Sequence, residues 1–481
     1  MEATRKYDII IVGAGIAGIN AAYRVQTTLP NSTYAILEAR DTPGGTWDLF
    51  RYPGVRLDSD IHTYGFSWHP YHHDKTMLDG SSIFNYINGT AAQYGIKDHI
   101  LLNYRVKQMN WSSKEGQWSL DVVKQTEELR FGAQFVIFAT GYFDHQRPLP
   151  TEINGLNNFE GAVIQPQFWP CDLDYIGKRI AVIGSGATAV SLVPRLAETA
   201  AAVTIIQRNP NYILSIPSGN GSWWLSRLLP ATLSHKLKRY GWLAVTLGGY
   251  YICRKFPLAA KSFFLKLVSK QLPAHIPLSP HFEPKHNVWD QRLLACPDGD
   301  LFQSMQTKKV TVETATIENF ASDAIVLDSG KVIQADIIVT ATGLRLQIGG
   351  GIQVEIDGIM YDISKKFMWK GMMLQNLPNA FFALGYLTNA SWTLGVDATA
   401  LFICRLIKHM HRNNVTKATP QLQDPAGRPC KLWNLGSSYV LAAEGDLPQA
   451  GEVAPWQARS NYILDLLDAQ YGPLGTCMEF S

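Results

Sequence analysis

Paired cysteines are missing from this sequence. Its six (Cys171, Cys253, Cys296, Cys404, Cys430, Cys477) are scattered over 481 residues without one C-x-x-C spacing. A redox dithiol and a zinc site of that pattern are therefore excluded, no metal centre is expected, and a reducing compartment fits best. Long apolar runs are missing too. In the greasiest stretch, residues 223–270, the longest uncharged run is residues 240–253, short of the roughly 20 residues that cross a bilayer. The first seven residues lead into a strand rather than an apolar leader segment, and the terminal Met-Glu-Phe-Ser is no organelle tag, so a cytoplasmic location is expected. With 46% hydrophobic and 17% charged residues and a mean hydropathy of −0.06, the chain is neither disordered nor polytopic. Its length predicts about three domain-sized units.

Acid is absent from one region altogether. Residues 199–282 hold ten Lys or Arg and no Asp or Glu, although the whole chain carries 43 basic and 40 acidic residues. Basic residues beside apolar helices suit three roles: packing over a sheet, a mouth for greasy substrates, or contact with a membrane surface across 223–270. No nucleic-acid-binding motif accompanies them, so no nucleic-acid partner is expected.

Glycine, by contrast, is placed with purpose. The run Asp8-Ile-Ile-Ile-Val-Gly-Ala-Gly-Ile-Ala-Gly18 reads as a strand, a tight turn and a helix start, with Gly13, Gly15 and Gly18 at G-x-G-x-x-G spacing. In such a unit the first glycine allows the turn, the second admits a pyrophosphate to the backbone, and the third lets helix and strand pack closely. A second strand ends at Glu38, near the offset at which a carboxylate takes ribose hydroxyls. The alternative, a purely structural glycine turn, does not call for that acid. The unit recurs as Gly184-Ser-Gly186-Ala-Thr188-Ala189 before another helix and the strand ending Gln207-Arg208. There the ribose-reading acid is missing. Arg208 suits a 2′-phosphate, which favours NADPH over NADH; a surface arginine opening the Asn209-Pro210 turn is the other reading.

Two strands leave through Ala139-Thr-Gly141 and Ala341-Thr-Gly343. They predict an α/β fold with two Rossmann-like dinucleotide-binding domains, the second inserted in the first. The expected boundaries are 1–143 and 344–481 for the first domain and 144–343 for the second, which carries a helical insertion at about 215–290.

The stretch Gly44-Gly45-Thr46-Trp47-Asp-Leu-Phe-Arg-Tyr-Pro-Gly-Val-Arg-Leu-Asp58 matches without a gap the long fingerprint [A/G]-G-x-W-x-x-x-x-[F/Y]-P-[G/M]-x-x-x-D. By it, together with the two glycine turns, the chain resembles the type I Baeyer–Villiger flavoprotein monooxygenases. Within them, Ala390-Ser-Trp392-Thr-Leu394, Trp289-Asp-Gln-Arg-Leu293 and Lys370-Gly-Met-Met373 are most similar to the ethionamide monooxygenase branch. The resemblance implies FAD in the first domain and NADPH in the second. It implies that NADPH reduces FAD, that O2 adds at flavin C4a, and that the peroxyflavin passes one oxygen to a substrate. A ketone then becomes an ester or lactone, or sulfur is oxidised; the 11% aromatic content suggests a hydrophobic organic substrate. Gly45, Thr46 and Trp47 are implied at the flavin, and Arg292, with Asp58 as its orienting carboxylate, as the cation that holds the peroxide anion. The plain alternatives are a surface arginine at a helix end and an aspartate capping a turn. Thr188 is either a phosphate contact or a cap, and Trp47, Trp169 and Trp392 are either pocket walls or core.

The chain departs from the family pattern twice. Its short fingerprint, Phe159-x-Gly161-x-x-x-Gln165-x-x-x-Trp169-Pro170, has Gln165 where the family has histidine, so altered coupling of domain motion to catalysis is expected. Gln291 stands where many members place a lysine near the 2′-phosphate, which shifts that duty to Arg208. A disulfide reductase lacks its cysteine pair here, a flavin monooxygenase restricted to nitrogen or sulfur does not need the complete long fingerprint, and a decayed flavin scaffold acting as an uncoupled NADPH oxidase would not need Arg292 and Asp58. Oligomeric state is not legible.

Overall fold

The computed structural model describes residues 5–73, 75–150, 153–219, 229–422 and 427–481. β1 (Arg5–Val12) carries Ile9, Ile10 and Ile11, all fully buried. Successive strand side chains point to opposite faces. Ile9 and Ile11 therefore join the core under α1 (Ile16–Thr28), while Ile10 and Val12 join Trp111 and Trp118 on the other side. A strand buried on both faces has to read as an unbroken apolar run, and this one does.

β1 pairs in parallel with β2 (Tyr34–Glu38) and with the strand Glu127–Phe138. The nine-stranded sheet built around them also takes in Gln353–Ile356 and Ala380–Phe382, which come from far later in the chain. Between those two portions lies a second, five-stranded parallel sheet. Its order is Val310–Thr314, β4 (Ala202–Gln207), β3 (Arg179–Ile183), Ile337–Thr340 and Ala162–Ile164, with α2 (Ala187–Thr199) following β3. This is a mixed α/β fold of two Rossmann-like units, one inserted in the other. The outgoing and returning connections run side by side: Asp144 N donates to Arg345 O at 2.8 Å and Gln347 N to Tyr142 O at 3.0 Å.

The helical insertion consists of α3 (Ala231–Lys255) and α4 (Pro257–Ser269), with the parallel-paired strands Ile213–Ile216 and Leu294–Pro297 on either side. Residues 220–228 of the acid-free stretch lie outside the described residues. Leu243 and Leu247 of α3 pack on Tyr386, Ala390 and Leu394, at the start of α5 (Trp392–Arg412), and on Tyr462 of α6 (Tyr462–Tyr471). Among the described residues no helix is long and apolar enough to cross a membrane.

Candidate cofactor cleft and active site

The two glycine turns face one cavity of about 1320 Å3, larger than the roughly 300–1,000 Å3 of a single small-molecule pocket. The turns are built alike. Gly13 has φ +104°, and a Cβ there would lie 2.7 Å from Ala139 O; Gly184 has φ +137°, and a Cβ there would collide with Ala341 O. Each Ala-Thr-Gly exit thus presses its first carbonyl against the first glycine of a turn, where only glycine fits. Gly18 is required in the same way, because its Cβ would overlap Gly13 O; it lies behind the turn and does not line the cavity. Gly15 and Gly186 differ from these three. A Cβ on Gly15 would meet nothing closer than Gly45 Cα at 3.5 Å, and one on Gly186 meets nothing within 4 Å. Their bareness serves no protein contact, and both face the cavity. A phosphate group at a helix N-terminus would use that space.

Glu38, at the end of β2, is buried and lines the cleft. Its Oε2 accepts from Ala14 N at 2.6 Å and its Oε1 from Arg40 N at 3.0 Å, so it braces the first turn while facing the cavity. At the end of β4, Gln207 is tied off, its Nε2 donating to His281 O at 2.7 Å and Thr314 Oγ1 at 3.1 Å. Arg208 is exposed, lines the cavity and makes no ion pair among the described residues. Thr188, in the first turn of α2, lines it as well, and so does Gln291.

The long-fingerprint loop bridges the two units. Gly44 N donates to Ala14 O at 3.0 Å, which docks the loop on the first turn. Gly54 has φ +80°, and a Cβ there would strike Ser191 O in α2. Arg56 pairs with Asp300 and donates to Val190 O at 3.2 Å. The loop ends at Asp58, whose carboxylate accepts from Arg292 Nε at 2.8 Å and Nη2 at 3.2 Å, a two-pronged pairing that fixes the guanidinium plane. Arg292 Nη1 donates to Leu387 O at 3.2 Å. Burial works against the Arg292 cation, but the Asp58 carboxylate more than offsets it, and the net shift is upward. Both residues line the cavity that holds the two turns.

The profile of the family described as flavin-binding monooxygenase-like matches residues 52–411, and an NAD(P)-binding Rossmann-like profile matches residues 11–80. The FAD-containing monooxygenase EthA of Mycobacterium tuberculosis is 42% identical over 467 residues, covering 96% of this chain and 95% of its own. The probable FAD-binding monooxygenase AlmA of Acinetobacter baylyi is 39% identical, covering 95% and 92%. The open crystal structure of cyclohexanone monooxygenase superposes with a TM-score of 0.76 at 20% identity, over 99% of this chain and 100% of that one, a likeness of fold. The chain belongs to the flavin-binding monooxygenases. This monooxygenase is a flavin-dependent enzyme near the EthA branch, with an NAD(P)-binding Rossmann-like region.

The structure decides between readings that the sequence left open. Trp47 and Trp392 line the cavity, Trp47 donating to the Tyr64 hydroxyl at 2.6 Å. Trp169 does not; it is buried in the core of the second unit, edge-on to Tyr175. Gln165 is also off the cavity, and its Nε2 donates to Leu149 O in the outgoing connection at 3.1 Å. Among the described residues of the helical insertion none borders the cavity, so those residues form no mouth there. Sequence reasoning also missed two residues. Tyr142 packs on Trp392 with ring centroids 4.6 Å apart and planes tilted by 37°, and Tyr439 meets Gly343 from the last part of the chain; burial raises both phenol pKa values. Tyr142 directly follows an Ala-Thr-Gly exit, a signal that was available. Tyr439 carries no local signal.

Proposed function

We propose that residues 1–143 and 344–481 hold FAD and residues 144–343 hold NADPH, and that the enzyme inserts one oxygen of O2 into a hydrophobic organic ketone or oxidises sulfur. The supporting contrast is at the strand ends, a buried carboxylate at Glu38 and, at Arg208, a guanidinium with no ion pair among the described residues. In this reading Gly13, Gly15, Gly45, Thr46 and Trp47 cradle FAD, and Gly184, Gly186, Thr188 and Arg208 cradle NADPH. Reduced by NADPH, bound FAD supplies the activation of O2. The observation that carries the reading is the Arg292–Asp58 pair in the cavity shared by both turns.

Arg292 holds negative charge on oxygen next to the substrate, and its charge does not depend on pH over the working range. Asp58 and Leu387 O fix it, so the cation needs no reorganisation when charge develops. Trp47, Tyr142, Trp392 and Tyr439 wall the cleft and exclude water, which strengthens that interaction. Gln165 ties the short-fingerprint segment to the outgoing connection and transmits its position. We also read residues 223–270 as a contact with a membrane surface, and on the cysteine spacing we place the protein in the cytoplasm.

Arg292→Ala tests the core of this reading. Anaerobic flavin reduction by NADPH stays close to wild type in rapid mixing, while product from a panel of ketones and sulfides falls about 100- to 1000-fold. Product at the wild-type rate would refute the assignment.

A further inference from the structure

A surface helix ordinarily turns an apolar stripe inward and a polar one outward. α3 is apolar on both sides. Leu243, Leu247 and Cys253 are buried against the protein, while Leu233, Leu237, Tyr240, Val245, Tyr251 and Ile252 are exposed by 45 to 66%, Val245 and Ile252 on the side opposite Leu243 and the others along its flank. Phe256, Leu258 and Phe263 carry the exposed apolar surface into α4. α6 lies alongside: Asn461 Nδ2 donates to the Tyr251 hydroxyl at 2.9 Å, and Tyr462 packs with Leu243 and Leu247. Its Ile463, Leu464 and Leu467 are exposed as well.

The charge left outside ion pairs around this face is basic among the described residues. Arg254 and Lys261 are paired with Asp290 and Glu283. Lys236, Lys238, Lys255, Lys266 and Lys270 make no ion pair among the described residues, and no acid lies between Glu198 and Glu283. The acids of α6 do not offset them, because Asp465 is taken by the Tyr386 hydroxyl and Asp468 by Lys370 at 2.8 Å. A second copy is a poor occupant, since a two-fold contact sets the same patch against itself and brings lysine to lysine. Apolar side chains ringed by unpaired cations match an interface that is greasy within and anionic at its surface.

We propose that α3, α4 and α6 together dock on an anionic lipid bilayer, with the exposed Leu, Ile and Phe side chains entering the headgroup boundary and the five lysines meeting anionic headgroups. The inference rests on the reading of 223–270 as membrane-facing and adds the second surface helix, the sign of the lipid charge and the residues. The enzyme lies on the bilayer and does not span it.

The FAD-loaded full chain is sedimented with vesicles of phosphatidylcholine alone or of an equimolar mixture with phosphatidylglycerol. Binding is at least about tenfold tighter to the mixture and weakens in high salt. Lys255→Gln with Lys266→Gln lowers partitioning about 25-fold, at about fivefold per cation removed. Ile252→Ser with Leu258→Ser releases the protein, while NADPH oxidation by all variants stays at the wild-type rate. Equal binding to both vesicles would leave the membrane reading standing and overturn the anionic one. No binding to either would overturn both. A concentration-dependent dimer abolished by the same substitutions would assign the face to a second copy and overturn the proposal.

Discussion

Gly184 and Gly186 are two residues apart in one turn, yet the structure assigns them opposite costs. At Gly184 the backbone has φ +137°, and a Cβ would lie 2.8 Å from the Ala341 carbonyl carbon. That φ alone costs a side chain about 1–3 kcal/mol, and the overlap with main chain that cannot move aside adds to it. Gly184→Ala therefore loses at least about 3 kcal/mol of stability, a large share of an ordinary domain's margin. At Gly186 the backbone is extended, with φ −84° and ψ −175°, at the N-cap of α2, and a Cβ meets nothing within 4 Å. Gly186→Ala gains from a stiffer unfolded chain and loses some N-cap preference, so stability stays within about 1 kcal/mol of wild type. Its methyl nevertheless fills the space assigned to the pyrophosphate. Losing one charge-assisted backbone hydrogen bond, worth about 1.5–3 kcal/mol, weakens NADPH by about 10- to 150-fold. Thermal unfolding of the FAD-loaded protein and an NADPH titration of each variant separate the two effects. A Gly186→Ala protein that unfolds as early as Gly184→Ala, or that binds NADPH as wild type does, would refute this account of the turn.

Three further outcomes follow from the same structure. Arg208→Ala weakens NADPH far more than NADH when both are titrated, and equal weakening would reject a 2′-phosphate contact at that guanidinium. Gln165→His shifts the ratio of oxygenated product to released hydrogen peroxide, because the side chain holds the connection through Leu149 O; an unchanged ratio would make the position merely tolerant. Burial, with the Arg40 cation next in importance, holds the His145 imidazole down at about 4. The unfolded chain then binds more protons between about pH 6.5 and pH 4, so stability falls on acidification through that window, by at most about 3 kcal/mol. Unfolding curves of His145→Gln over this range are flatter than those of wild type, and parallel curves would exclude His145 as the source.

What could be read from the sequence was whatever short spacing determines. A glycine at a turn, a carboxylate at a strand end and a gap-free fingerprint are constraints between neighbours in the chain, and the backbone geometry that demands them is local. The Rossmann-like units and their nesting were legible for that reason. The resemblance named Arg292 and Asp58, but their two-pronged contact across 234 positions is a product of packing, since it depends on how a loop from the first unit meets the second. The same holds for Tyr439, brought to the cleft from the last part of the chain, and for Trp169, which the sequence left as pocket wall or core and which packs in the core of the second unit. The acid-free helices were equally ambiguous, because an apolar helix that covers a sheet and one that faces outward have the same composition. Only the tertiary structure shows which stripe of α3 found a partner: burial depends on what lies opposite a side chain, and a sequence does not state that.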